Sequence, residues 1–303
     1  MSDLVLSAPQ IPLQTLSTGW LQQAGVRLDV LRCDLLDPLL SGNKFFKLKY
    51  NLQAAKASGT DTMLSFGGPW SNHLHALAAA GQRYGMNTIG VVRGEATAQL
   101  NPCLQEMRRM GMHLHFVSRS DYRRKDTPEF FAELNLLFGD CYLIPEGGAN
   151  LAGILGCQEL AQAIPPDTYT ALLLACGTGT TLTGLVTAMT TPVIGIQVLK
   201  GSGYLQKQVT AMLAKFKLQS RAEWQMLDTY HCGAYARSNF RLQHFMQSLT
   251  ATTDLPLEPV YSGKLFLAVH DLVTRNAFPA GSRLLAIHGG GLQGARGFGN
   301  VSV

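Results

Sequence analysis

Short apolar runs of strand length alternate with helical stretches along most of this chain, and glycine-rich turns separate them. That alternation is the pattern of parallel sheets wrapped by helices, an α/β fold. Residues 62–66 read as a strand, 67–69 as a turn and 71–84 as an alanine-rich helix. Residues 88–92 form the next strand, and a helix over 100–110 follows. Strands at 113–117 and 141–144 enclose a helix at 129–138. After the loop from Pro145 to Asn150 the series resumes with a helix over 155–163, a strand over 169–175, a helix over 182–189 and a strand over 193–198. A last strand at 284–287 runs into His288-Gly289-Gly290-Gly291. Two lobes of open parallel sheet with flanking helices are expected, with the ligand cleft where the C-terminal ends of the strands face each other.

Composition narrows the class further. With 303 residues, 46% hydrophobic and 15% charged, the chain buries roughly 75% of its unfolded surface and needs neither disulfides nor a structural metal. The six cysteines are scattered with no C-x-x-C pair, and the N-terminus lacks a basic stretch followed by an apolar run. Reduced thiols and a cytoplasmic location are the expectation. The longest apolar run, Ala171 to Ala175, is strand-sized, so no membrane span is expected. Net charge is +5, but the one dense basic run, Arg119 to Lys125, is broken by Ser120, Asp121 and Tyr122 and lacks the aromatic interleaving of a single-strand binder. It reads as a solvated loop, and no nucleic-acid partner is expected.

Three segments carry chemistry. Cys176-Gly177-Thr178-Gly179-Thr180-Thr181 lies between a buried strand and a helix, where backbone N–H groups and hydroxyls converge on an anion such as phosphate; a plain βα turn is the alternative. A dinucleotide fingerprint fails because Leu182 stands where the third glycine belongs and no acidic residue ends the strand at Val198, and the Gly-Lys-Ser/Thr ending of a P-loop is missing. Ser41 to Leu48 sets Lys44 and Lys47 three residues apart, on adjacent turns of a helix in an apolar setting. Desolvation lowers a lysine's pKa and makes it a nucleophile toward carbonyls, although most lysines are solvated surface groups. Ser71, Asn72 and His73 open a helix just past a strand, with a plain N-cap as the alternative role for one of them. Ser71 lacks the final glycine of a G-x-S-x-G elbow, and His73 and His75 fall on different helix faces, which makes them poor joint metal ligands.

Taken in this order, the segments resemble the fold-type II pyridoxal-phosphate enzymes, the tryptophan synthase β-like superfamily. Within it the resemblance is to the group holding 1-aminocyclopropane-1-carboxylate (ACC) deaminase and D-cysteine desulfhydrase. The family's G-N-K-x-x-K-L is Gly42 to Leu48, its S-N pair is Ser71-Asn72 and its phosphate loop is Cys176 to Thr181; Gly233-Ala234-Tyr235, Pro259 to Lys264 and His288-Gly289-Gly290 also match. The similarity runs from about residue 8 to residue 300. It implies a large domain of residues 1–45 and 149–303 that binds pyridoxal 5′-phosphate, and a small α/β domain of residues 46–148.

The resemblance further implies that Lys44 holds the cofactor as a Schiff base, and that Lys47 with Cys176, Gly177, Thr178, Gly179, Thr180 and Thr181 holds its phosphate. By the same resemblance Asn72 bonds the cofactor's 3′-oxygen, and Ser262 sits near the pyridine nitrogen. Ser71, Asn72 and His73 would receive the substrate carboxylate at a helix N-terminus, with Tyr235, Tyr261 and Gly289 around the substrate and Ser71 and both tyrosines as catalytic candidates. A small amino-acid substrate and a homodimer follow from it as well.

The departures set the expected substrate. ACC deaminases carry a glutamate where this chain has Ser262 and a leucine where it has Gly289, while the desulfhydrases have small hydroxyl residues at both. Ser262 therefore sides with the desulfhydrases, and Gly289 with neither. Trp70 replaces a glutamine and Phe45-Phe46 a more polar pair, which suggests a remodelled pocket rim. The expected activity is β-elimination from a small amino acid, D-cysteine or a related D-amino acid, giving a 2-oxo acid and ammonia. ACC deaminase, and a cofactor-binding protein with little catalysis, are the alternatives; a nicotinamide oxidoreductase is disfavoured by the missing acidic residue after Val198.

Overall fold

The computed structural model describes residues 10–40 and 42–298; the readings made on residues 1–9 and on Ser41 lie outside them. Among the described residues, ten strands build two sheets. One sheet takes β1 (Leu13–Leu16), β2 (Arg27–Leu31), β7 (Ala171–Cys176), β8 (Val193–Gln197), β9 (Trp224–Leu227) and β10 (Arg283–Ile287), in the order β1-β2-β10-β7-β8-β9. The other takes β3 (Thr62–Gly67), β4 (Asn87–Arg93), β5 (Met112–Val117) and β6 (Tyr142–Ile144), in the order β5-β4-β3-β6. Helices fill the crossovers, as parallel neighbours require.

Every pairing is parallel except β1 with β2, which run antiparallel with Leu13 opposite Leu31 and Leu16 opposite Leu28. The expected open parallel sheets are present, with one antiparallel edge where the short connection Gly19–Ala24 is too brief for a parallel return. The central strands read as continuous apolar runs because both of their faces are covered: in β7, Leu172 and Leu173 are fully buried and point to opposite sides.

The helix Asn43–Ala57 follows a left-handed residue, Gly42, and packs on the helix Leu151–Leu160. Its buried side carries Phe46, Leu48 and Leu52, each with no solvent exposure. Burial of such a side chain contributes roughly 1.5–3 kcal/mol, so this helix start is held firmly. Asn51, also fully buried, donates to the Lys47 carbonyl at 2.6 Å and accepts from Asn150 at 2.7 Å. Asn150 in turn caps the neighbouring helix by accepting from the Gly153 N–H at 2.9 Å.

The basic run is not a solvated loop throughout. Ser118 caps a helical turn over Arg119–Tyr122, accepting from the Asp121 N–H at 3.1 Å. Tyr122 is buried against Phe66 and Phe130 within the second sheet's core; that aromatic anchor orders the segment. Among the described residues no helix is long and apolar enough to cross a membrane, and all six cysteines are free.

Candidate active site

A cavity of about 1030 Å³ opens between the sheets at the C-terminal ends of β3, β7 and β10, where Phe66, Cys176 and Ile287 reach its wall. Three helices begin at its edge, at Asn43, Asn72 and Thr180. Their first N–H groups lack intrahelical acceptors, which makes the cleft attractive to anions.

Lys44 and Lys47 sit at the first of these termini and line the cavity. The Lys44 ammonium donates to Asn43 Oδ1 at 2.8 Å, and Asn43 Nδ2 donates to Thr181 Oγ1 at 3.0 Å, so lysine and glycine-threonine loop are joined by one bridging amide. Burial, reinforced by the charge of Lys47, brings the Lys44 pKa down to about 7. Far more of it is therefore an uncharged nucleophile near neutrality than of a solvated lysine. Lys47, whose pKa is also lowered by burial, donates to the Gly147 carbonyl at 3.0 Å. In the loop, Thr178 and Thr180 hydroxyls lie 2.9 Å apart, and no side chain caps the helix that starts at Thr180. Cys176, Gly177, Thr178, Gly179 and Thr181 line the cavity there, whereas Thr180 is fully buried and does not.

Ser71 is an N-cap: its Oγ accepts from the Leu74 N–H at 3.2 Å, leaving the hydroxyl proton to donate elsewhere. The N–H groups of Asn72 and His73 have no acceptor among the described residues. Asn72 Oδ1 is buried without a partner, and its amide packs so closely on Gly291, at φ +86°, that a β-carbon there would overlap it. The His73 ring is buried, with its Nε2 2.9 Å from Ser65 Oγ. Burial and the two nearby lysines hold its pKa well below the ordinary value, so the ring is neutral.

Opposite these groups, Tyr261 donates to Tyr235 at 3.3 Å with the rings edge to face. Burial, then the neighbouring Tyr235, pushes the Tyr261 pKa well up. Ser262 Oγ accepts from the Glu258 N–H at 2.8 Å and lines the cavity. Two supporting residues are given no role by the sequence, although Lys264 closes the matched segment that begins at Pro259. Glu258, fully buried, accepts from the N–H groups of Val260, Tyr261 and Ser262, each at 2.7 Å. Lys264, also fully buried, donates to the carbonyls of Val198 at 3.3 Å and Ala234 at 3.1 Å, fixing the loop that bears Tyr235. A buried charge flanked by Y-S-G in sequence was the available clue to Lys264.

A family model described as pyridoxal-phosphate dependent enzyme matches residues 1–290. The chain belongs to this family of pyridoxal-phosphate-dependent enzymes. It is 28% identical over 290 residues to a Thermotoga maritima protein provisionally named as an ACC deaminase, covering 90% of this chain and 91% of that one. The bifunctional mitochondrial D-cysteine desulfhydrase/ACC deaminase of Arabidopsis thaliana is 28% identical over 295 residues, 89% of this chain and 73% of its own. Among solved structures, an ACC deaminase homologue superposes with a TM-score of 0.79 at 26% identity, over 95% of this chain and 91% of that one. The enzyme is thus of fold type II, in the group that holds ACC deaminases and D-cysteine desulfhydrases.

The residues of this pyridoxal-phosphate enzyme fit its cofactor on physical grounds. An amine with a lowered pKa and an uncapped helix terminus with Lys47 beside it answer to an aldehyde and a phosphate, and the Asn72 side chain, whose Oδ1 has no partner, has an Nδ2 that can donate to a ring oxygen. Two sequence readings need correction. Phe45 and Phe46 are buried in the core and do not reach the cavity wall, since the helix presents its lysines there and turns the rings inward. Trp70 packs under Gly297, away from the cavity. Of the four departures from the family pattern, Ser262 and Gly289 line the cavity, and Trp70 and Phe45-Phe46 do not.

Proposed function

We propose that this enzyme takes a small amino acid, D-cysteine or a related D-amino acid, to a 2-oxo acid and ammonia by β-elimination. The observation that carries the reading is Ser262, a hydroxyl where a carboxylate would be needed to keep a pyridine ring protonated, at the cavity end of the helix Ser262–Thr274. Pyridoxal phosphate, when bound, supplies the electron sink for the pair left as the Cα–H bond breaks. A ring facing a neutral hydroxyl is the weaker sink. Loss of a thiolate from the β-carbon asks less of it than opening a cyclopropane that has no Cα proton.

Lys44 holds the cofactor and then moves the Cα proton, for which an amine with a pKa near 7 is suited. Ser71 Oγ–H and the free N–H groups of Asn72 and His73 receive the substrate carboxylate. His73 contributes its backbone there, because its ring is engaged with Ser65. Lys47, Thr178, Thr180 and Thr181 hold the phosphate with the loop backbone of Cys176, Gly177 and Gly179. Tyr261 and Tyr235 position the departing group and relay its proton, and Gly289 leaves room beside the substrate.

The domain division that suits this reading is a small domain of residues 46–148, carrying β3 to β6, and a large one of residues 1–45 and 149–303. We also read the enzyme as cytoplasmic and homodimeric. Free cysteines suit a reducing compartment, and Leu136 and Leu137, 88% and 65% exposed on one helix, offer apolar surface to a second copy.

The test is an ammonia and 2-oxo-acid assay over D- and L-amino acids with ACC included. D-cysteine turnover with sulfide release, and no ACC turnover, is expected. Comparable ACC turnover would make the enzyme an ACC deaminase, and cofactor binding with no release of ammonia from any substrate would reduce it to a binding protein.

A further inference from the structure

A second cavity, of about 510 Å³, adjoins the first and is lined by Arg93, Arg119, Tyr122, Arg123, Lys125 and Glu146. Arg93, Lys125 and Glu146 line both, so the two spaces share a wall. Four cations thus face one carboxylate. Glu146 is already 3.8 Å from Lys125, which also pairs with Asp126 at 2.8 Å. Among the described residues, Arg93, Arg119 and Arg123 form no ion pair with any carboxylate. Arg124, in the same run, shows what satisfaction looks like here: it pairs with Glu133 and stacks on Phe130.

The annex is anchored rather than loosely solvated. The Arg93 guanidinium and the Lys125 ammonium both face the ring of Tyr122, 5.5 Å and 5.8 Å from its centre. Tyr122 is only 4% exposed, and its hydroxyl, although close to Glu146, makes no hydrogen bond of normal geometry. One end of Arg93 reaches toward Gly68, where an added β-carbon would lie 3.5 Å from Nη2. Gly68 precedes the Ser71-Asn72 loop by three residues. A cation is therefore carried from the annex to the edge of the site that receives the substrate carboxylate.

We propose that Arg93, Arg119, Arg123 and Lys125 bind a second anionic group at the far end of the substrate's β-substituent, with the Tyr122 hydroxyl as an additional donor. The preferred substrate is then an amino acid whose leaving group itself carries a carboxylate or a comparable anion. This deepens the reading above and rests on it. Arginine forks suit such an oxyanion because they bind it through paired N–H groups. Arg93, Arg119 and Arg123 are exposed, so the attraction weakens as salt is raised.

A matched pair of thioethers of D-cysteine tests it: the S-carboxymethyl compound and its isosteric S-carbamoylmethyl amide. In either, the Cβ–S bond breaks with its electron pair leaving on sulfur, the Cα proton is taken up by Lys44, and one water completes conversion to the thiol, pyruvate and ammonium. The holoenzyme is expected to prefer the acid by tenfold or more in kcat/KM, and the double variant Arg119→Gln, Arg123→Gln to bring that ratio close to one. Equal use of acid and amide by the unaltered enzyme, or a preference that the double variant retains, overturns the annex while leaving β-elimination standing.

A second measurement does not depend on turnover. Calorimetric titration of the holoenzyme with glutarate and with its monoamide, glutaramate, is expected to show tighter binding of the dianion, weakened at least fivefold in the double variant, with glutaramate binding unchanged by the substitutions. If neither thioether reacts yet this difference holds, the annex stands as an anion site, its role in holding the leaving group fails, and the D-cysteine assay decides β-elimination separately. If glutarate and glutaramate bind alike, the annex fails. A melting curve matching that of the parent establishes that the double variant is folded.

Discussion

The backbones of Gly42 and Gly289 meet inside the candidate site: the Asn43 N–H donates to the Gly289 carbonyl at 3.3 Å, and a β-carbon on Gly42 would overlap that same carbonyl. Gly42 has φ +64°, a left-handed conformation that glycine adopts freely. The contact clamps the start of the lysine helix to the loop after β10, and so sets where Lys44 stands.

The two glycines should respond differently to alanine. Gly42→Ala adds left-handed strain to an overlap with backbone that cannot yield, a cost of about 2–4 kcal/mol, and displaces Lys44. Activity should fall about 100-fold, as expected for a misplacement near 1 Å. Gly289→Ala meets only Asn43 Nδ2 at 3.6 Å, an ordinary contact, and should cost less than about 1 kcal/mol. Thermal melts and kcat measured on both variants check this; equal losses would show that Gly42 does not position the lysine.

Lys44 should couple to the cofactor with a pH midpoint near 7, because burial and Lys47 both disfavour its charged form. The sign is that a lowered amine pKa leaves more free base at a given pH, so attachment quickens as pH rises through 7 and levels off well before 10. Lys47→Gln removes the positive neighbour and should move the midpoint upward. Stopped-flow absorbance of cofactor addition to the apoenzyme reads both curves, and an unchanged midpoint in the variant would place the effect in burial alone. Lys44→Ala should yield no borohydride-stable adduct and lose roughly 10²–10⁴-fold in turnover.

The phosphate grip should be separable from folding. Thr178→Val with Thr180→Val removes two hydroxyls that lie 2.9 Å apart at an uncapped helix terminus. Each lost charge-assisted bond is worth roughly 1.5–3 kcal/mol, so cofactor affinity should drop at least tenfold while the apoenzyme's denaturation midpoint stays within error. Equilibrium dialysis against pyridoxal phosphate measures the first quantity and urea titration the second.

Much of the fold was legible because the buried strands are uninterrupted apolar runs bounded by glycine turns. Leu172 and Leu173 mark β7 unmistakably, whereas β2 stays hidden because Asp29 breaks its run. The structure makes that carboxylate tolerable at 3% exposure by donating to it from Thr15 at 2.6 Å and Tyr169 at 3.2 Å, with Arg27 at 3.2 Å. The lysines and the glycine-threonine loop were legible as motifs, since their chemistry depends on local spacing. Glu258 and Lys264 were not, because they act by holding backbone segments that only the folded chain brings near. The wrong placement of Phe45, Phe46 and Trp70 has one source: adjacency in sequence to a site residue says nothing about which side of a helix, or of the turn before one, faces the cavity.

A latch joins the two halves of the molecule away from the cofactor cleft. Glu106, on the helix Pro102–Arg109 beside the second sheet, receives two hydrogen bonds from Arg296 of the segment Leu292–Phe298, at 2.6 and 2.8 Å, and lies 3.0 Å from His75 Nε2. The Arg296 hydrogen bonds bring the Glu106 pKa down to about 2, against a smaller opposing effect of burial. A depressed carboxylate pKa stabilises the fold at pH values above the unfolded value near 4.5, and that contribution declines as pH falls and is lost around pH 2. Both side chains are about one-third exposed, at 35% and 32%, so screening by solvent limits the pair to about 0.5–1 kcal/mol. Glu106→Gln should therefore lower the melting temperature by about 1–3 °C at pH 7, and the gap from the parent should narrow steadily toward pH 3 and in molar salt. A gap that stays constant between pH 7 and pH 3 would assign the loss to packing against His75 rather than to the ion pair, and Arg296→Gln, which leaves that packing in place, would then melt with the parent.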